Sequence, residues 1–130
     1  CDPFSRRVLR VSMGAALRVP ILQATDALAE LKCLQNHWGV EAIATVLDSD
    51  AEQLQSAQAG DRLALVFGAE ASGLPQEWIE ACDRRVAIPM APGTDSLNVA
   101  TATGIFLYHF ASFQNPKRAT SNHDTPAAER

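Results

Sequence analysis

The stretch Leu63-Ala-Leu-Val-Phe-Gly-Ala-Glu-Ala-Ser-Gly-Leu-Pro75 decides how this 130-residue chain is read. Five apolar residues in succession, 63–67, show no polar alternation, which describes a central strand covered on both faces, as in the parallel sheets of α/β proteins. Gly68 and Gly73 follow, so the strand ends in a loop whose backbone can come close to a ligand. Glycines five apart suggest a phosphate loop, but Leu74-Pro75 stand where such a loop needs Lys and then Ser or Thr to reach terminal phosphates and magnesium. No GxGxxG is present to bring a helix N-terminus up to a pyrophosphate. Two readings stay open on the residues alone: a backbone-lined pocket for a flat ligand at the carboxyl end of the strand, or glycines that only serve turns.

Working outward, Val40, Ile43, Val46 and Leu47 predict a buried strand between Gly39 and the turn Asp48-Ser-Asp50. Before it, Ala27, Leu31, Leu34 and Trp38 form one helical stripe, with Thr25 or Asp26 as N-cap and Gly39 as the left-handed terminator. Residues 51–59 read as a polar connector or short helix, and residues 17–22 as a short strand about Pro20. Ser5 offers the entry to a first helix, with Val8, Leu9, Ser12 and Met13 inward and Arg6 and Arg10 on its outer face. Downstream, Pro75 takes the first position of a helix that turns Trp78, Ile79 and Cys82 inward. Residues 86–90 predict a third strand. Asp95 or Ser96 then caps a final helix over 97–113, apolar nearly all round, with Ala100, Ala102 and Gly104 permitting close approach of a neighbour. Strand, helix and strand alternate, so the fold class is α/β with a mostly parallel sheet flanked by helices.

Composition bounds the function. At 130 residues and 47% apolar, the chain holds one core, with residues 1–113 as the domain and 114–130 as a disordered polar tail. No apolar run reaches membrane-spanning length, and the opening Cys1-Asp-Pro-Phe-Ser-Arg-Arg7 lacks the order of a signal peptide, so a cytoplasmic protein is expected. Cys33 and Cys82 are read as small core residues, and neither the three cysteines nor the three histidines have metal-ligand spacing. The net charge of −4 is unevenly spread: residues 1–20 hold four arginines against one aspartate, and residues 21–83 hold eleven acids against two bases. Bulk electrostatics therefore excludes tight RNA binding, and any nucleic-acid contact falls to a local patch such as Arg6 and Arg10. A solvated helix face is the other reading of those arginines.

Phe67-Gly-Ala-Glu-Ala-Ser-Gly-Leu74, Ile88-Pro-Met90, and Ser96-Leu-Asn-Val99 with Thr103-Gly-Ile105 together resemble motifs 2 and 3 of the SpoU/TrmH branch of the SPOUT RNA methyltransferases. Cys1-Asp-Pro-Phe-Ser5 and Arg10-Val-Ser-Met-Gly-Ala15 resemble the segment that follows motif 1. The resemblance covers about residues 1–113. It implies a deep C-terminal trefoil knot, an exception to ordinary chain threading, with S-adenosylmethionine bound among the knot loops. It further implies methyl transfer to a ribose 2'-hydroxyl of tRNA or rRNA by a homodimer joined through the apolar final helix. Carried over by position, the cofactor contacts fall on Gly68, Ile88 and Leu97, with Met90, Ser96 and Asn98 lining the adjoining loop. Glu70 matches the motif 2 acid that orients a group at the active site. Asn98 can hydrogen-bond at the pocket mouth or serve the first turn of the helix, and Ser96 reads as an N-cap.

The sequence departs from the family at motif 1. No Asn-x-Gly…Arg pattern is present to supply the arginine that promotes 2'-hydroxyl deprotonation, and Arg6, Arg7 and Arg10 fall in the helix after that motif. The expectation is an N-terminally truncated catalytic domain that keeps the cofactor pocket and is inactive or nearly so by itself. A non-catalytic S-adenosylmethionine- or RNA-binding module of the same fold is the alternative.

Overall fold

The structure, a computed structural model, describes residues 2–69, 72–91 and 97–113. Residues 1–30 and 31–130 form two compact units.

In the first unit, α1 (Arg6–Val11) starts where Ser5 accepts a hydrogen bond from the Val8 amide at 3.4 Å. It stops at Met13 and Gly14, both left-handed at φ 50° and 81°, and a single 3₁₀ turn, Ala15–Leu17, follows. Two expectations fail here. Met13, expected to face inward, is 94% exposed, because the left-handed backbone turns it out of the helical stripe. Residues 18–24 carry no strand: Pro20 lacks an amide hydrogen and no neighbouring strand pairs with this segment.

α2 (Ala27–Trp38) is capped by Asp26, whose carboxylate accepts the Ala29 amide at 3.0 Å, and ends at left-handed Gly39. Leu31 is buried, but Leu34 and Trp38 are 41% and 60% exposed, so the expected stripe is wetter than its spacing implied. The residue that ties the helix down is polar: the Gln35 side-chain amide donates to the Ala81 carbonyl and the Asp83 carboxylate, both at 3.0 Å. Cys33, read as a core residue, is exposed one turn before His37.

Four parallel strands follow: β1 (Glu41–Val46), β2 (Glu52–Gln53), β3 (Leu63–Val66) and β4 (Arg84–Ala87), in spatial order β2-β4-β1-β3. The connector 51–59 thus contributes a strand that the sequence did not announce, anchored by buried Ala51, Leu54 and Ala57. The strand expected at 86–90 sits two residues earlier and ends before Pro89. β3, expected to be central, is at the edge of the sheet among the described residues, and its four residues are half-buried.

Strand alternation sorts the side chains. Ile43, Val86, Leu63, Leu65, Phe67 and Ile88 join the cluster built on Phe106 and Phe110 of α4 (Val99–Phe113). Phe67 meets Phe106 edge to face at 5.7 Å and Phe110 stacks on it at 6.3 Å, spacings that favour aromatic pairs. Ala42, Ala44 and Ala87, on the opposite face, are buried too, and their small side chains let α3 (Gln76–Ala81) approach β1. Pro75 precedes α3 as its N-cap, one position earlier than expected. At the amino end of the sheet, Arg84 joins three segments by binding Glu41 at 2.7 Å, Glu52 at 2.6 Å and the Gln58 carbonyl at 2.7 Å.

Candidate cofactor pocket

Open α/β sheets bind ligands beyond the carboxyl ends of their strands, and in the second unit a cavity of about 630 Å³ lies there. Three strand ends supply its floor, with Thr45 and Val46 from β1, Phe67 and Gly68 after β3, and Ile88 and Met90 after β4. Leu97, Val99, Ala102 and Phe106 wall it on the α4 side, and Gln76 and Ile79 of α3 on the other. The Thr45 hydroxyl donates to the Val66 carbonyl at 2.9 Å and so pins the ends of β1 and β3 together.

The glycine loop is shaped by its own backbone. Ala69 and Gly73 exchange amide-to-carbonyl hydrogen bonds at 3.1 and 2.8 Å, and Gly73 is left-handed at φ 67°. A Cβ on Gly68 would lie inside the van der Waals envelope of the Gly73 carbonyl and the Leu74 nitrogen. The glycine at 68 therefore serves the closure of the loop as well as access to the cavity.

Of the predicted cofactor residues, Gly68, Ile88, Met90 and Leu97 come together in this one cavity. Asn98 is exposed and caps α4: its side-chain oxygen accepts the Ala100 and Thr101 amides at 2.9 and 3.4 Å. The cap expected at Asp95 or Ser96 is thus made at Asn98. Ser96 and Glu70 lie outside the described residues, as do Asp95 and the tail 114–130. Arg6 and Arg10 are exposed on α1, where with Arg7 and Val11 they border a shallow concavity.

Sequence reasoning missed the β1 contribution and the charged pair at the rim, Arg85 and Asp48, 2.9 Å apart. The rule that ligands gather beyond strand ends would have pointed to residues 45–48, since that strand was foreseen. Arg85 gave no signal, because its neighbour Arg84 looks the same in sequence and is committed to Glu41 and Glu52.

The residues present fit S-adenosylmethionine. The volume lies within the roughly 300–1,000 Å³ of ligand pockets, and apart from the rim pair the lining is mostly apolar side chains and loop backbone, suited to a neutral purine nucleoside. Cys82, which closes α3 just before β4 and away from the cavity, is held protonated: burial, and then the Asp83 charge, push its thiol above the usual value of 9.0. Among the described residues no group of His, Cys, Asp and Glu is placed to hold a metal ion, and no helix is long and apolar enough to cross a membrane.

Residues 1–108 match the SpoU rRNA Methylase family. An uncharacterised tRNA/rRNA methyltransferase of Mycobacterium tuberculosis is 44% identical over 110 residues, which is 82% of this chain and 38% of that protein. The Escherichia coli 23S rRNA (guanosine-2'-O-)-methyltransferase RlmB is 39% identical over 99 residues, 76% of this chain and 40% of its own length. The AdoMet-bound rRNA methyltransferase of Sinorhizobium meliloti superposes with a TM-score of 0.74 at 33% identity, over 84% of this chain and 41% of that one. The chain spans about two fifths of the length of these proteins.

Proposed function

The chain belongs to the SpoU rRNA Methylase family, and from that we propose that it is the cofactor-holding part of an S-adenosylmethionine-dependent RNA 2'-O-ribose methyltransferase. The observation that carries the reading is the convergence of Gly68, Ile88, Met90 and Leu97 on one cavity of fitting size and polarity. Its RNA substrate is a tRNA or an rRNA, the two classes that the relatives' names mention.

Bound cofactor supplies a methyl group on a sulfonium, whose departing thioether is neutral. The residues of the chain therefore have to hold, align and keep dry, and need little electronic activation of the donor. Gly68 and the Ala69–Gly73 turn present backbone groups to the adenosyl end, while Ile88, Leu97 and Phe106 exclude water from it. Asn98 is a positioning residue in this scheme: by capping α4 it fixes the segment that carries Leu97 and Val99. We assign Glu70 the orientation of a polar group at the acceptor side, and Arg6 and Arg10 a share of RNA phosphate contact. The arginine that promotes deprotonation of the 2'-hydroxyl is not among residues 1–130, so this chain alone is expected to be slower by about 10²- to 10⁴-fold, the usual value of a lost general base.

The reading includes the family's C-terminal trefoil knot and a homodimer through α4. In support of the dimer, Ile105, Leu107 and Tyr108 are 38%, 56% and 77% exposed on a helix whose opposite side is buried. The experiment is mass-spectrometric mapping of 2'-O-methyl sites in RNA from cells with and without the gene. Loss of one or a few sites supports the assignment, and an unchanged map contradicts it.

A further inference from the structure

Among the described residues that line the cavity, Asp48 and Arg85 are the charged ones, and they face each other across its rim at 2.9 Å. Their position follows from the strands. Arg85 shares the alanine face of the sheet and borders the cavity beside Gln76 and Ile79 of α3, whereas Phe67, Ile88, Leu97 and Phe106 line the α4 side. The cavity is thus apolar toward α4, and its charged pair lies on the α3 side, beside Val46, Gln76 and Ile79. Arg85 and Asp48 are 49% and 38% exposed at the side chain, so each keeps a solvated edge from which it can take a second partner. Asp48 is further fixed by the Asp50 amide at 2.9 Å.

A ligand that carries a neutral nucleoside at one end and a zwitterion at the other matches this division. On the reading of the cavity given above, we propose that the Arg85–Asp48 pair receives the amino-acid end of S-adenosylmethionine, with the Arg85 guanidinium on its α-carboxylate and the Asp48 carboxylate on its α-ammonium. The planar guanidinium suits a carboxylate in two-point geometry. The pre-existing pair keeps both charges oriented and partnered before the ligand arrives, which lowers the cost of ordering them. The apolar side then takes the adenosyl group alone.

The test is calorimetry on the chain with two ligands, S-adenosylmethionine and S-methyl-5'-thioadenosine, which keeps the nucleoside and lacks the amino-acid end. In Arg85→Gln the affinity for S-adenosylmethionine is expected to fall about five- to tenfold, the effect of one half-exposed charge-assisted hydrogen bond, while S-methyl-5'-thioadenosine binds as it does to wild type. Asp48→Asn is expected to show the same selectivity. Unchanged binding of the truncated ligand also shows that the variants are folded. Equal loss for both ligands, or loss for neither, overturns this inference and leaves the cofactor reading standing. Failure of wild type to bind either ligand overturns the cofactor reading and this inference with it.

Discussion

Replacing Gly68 by Ala puts one methyl group where the chain has no room. The new Cβ meets the Gly73 carbonyl and the Leu74 nitrogen, which are backbone atoms that no rotamer change can move aside. The loop must open, and the two bonds that close it, Ala69 amide to Gly73 carbonyl at 3.1 Å and the reverse at 2.8 Å, are the ones lost. At about 1 kcal/mol net for each hydrogen bond, Gly68→Ala should cost about 2 kcal/mol of stability. Gly73→Ala has open space around the new Cβ and pays only the left-handed backbone, about 1 kcal/mol. Urea unfolding followed by circular dichroism, with the slope checked for constancy, measures both. Affinity for S-adenosylmethionine should fall in Gly68→Ala because Gly68, Ala69 and Ser72 to Leu74 all border the cavity. A Gly68→Ala protein with the wild-type midpoint and wild-type affinity would refute the claim that this close approach shapes the loop.

Phe106→Ala removes a 2% exposed ring that touches both Phe67 and Phe110, and should destabilise the chain by about 3–5 kcal/mol in the same unfolding assay. Leu107→Glu leaves the core intact and places a charge on the exposed side of α4; light scattering should find a wild-type dimer and a monomeric variant, and a wild-type monomer at high concentration would contradict the interface. Each large side chain that the dimer buries contributes about 1.5–3 kcal/mol. Iodoacetamide mapped by peptide mass spectrometry should label exposed Cys33 well before Cys82, whose thiol burial holds protonated. Because the folded state raises the Cys82 pKa, stability is unaffected below the ordinary value of 9.0 and falls as pH rises through it, where the unfolded chain ionises first. Cys82→Ser should flatten that alkaline decline in a pH series of unfolding midpoints.

How far the sequence could be read depended on what kind of force set each element. Strands β1 and β3 and helices α2 and α4 were legible because apolar periodicity and capping residues are local signals, and Asp26 and Gly39 perform the roles their types suggested. β2 was not, because two residues, Glu52 and Gln53, carry no period; their strand exists only through pairing with β4. The start of β4 was missed for a related reason: Arg84 and Arg85 look like loop residues until Glu41, Glu52 and Asp48, which lie more than 30 positions earlier, neutralise them. For the site, the motif residues Gly68, Ile88, Met90 and Leu97 were grouped through the resemblance, which carries their register, and they border one cavity. Asn98 was ambiguous between site and cap, and the choice rests on a backbone geometry that a list of residues does not contain.

The central claim is that the cavity beyond the strand ends holds S-adenosylmethionine. Titrating the cofactor into the ¹⁵N-labelled chain and following its amide resonances tests that claim residue by residue. The amides of Gly68, Ala69, Ile88, Leu97 and Val99 are expected to shift together with one saturation curve, with those of Arg6 to Val11 in α1 unmoved. A spectrum that does not change, or shifts confined to residues away from the cavity, would contradict it.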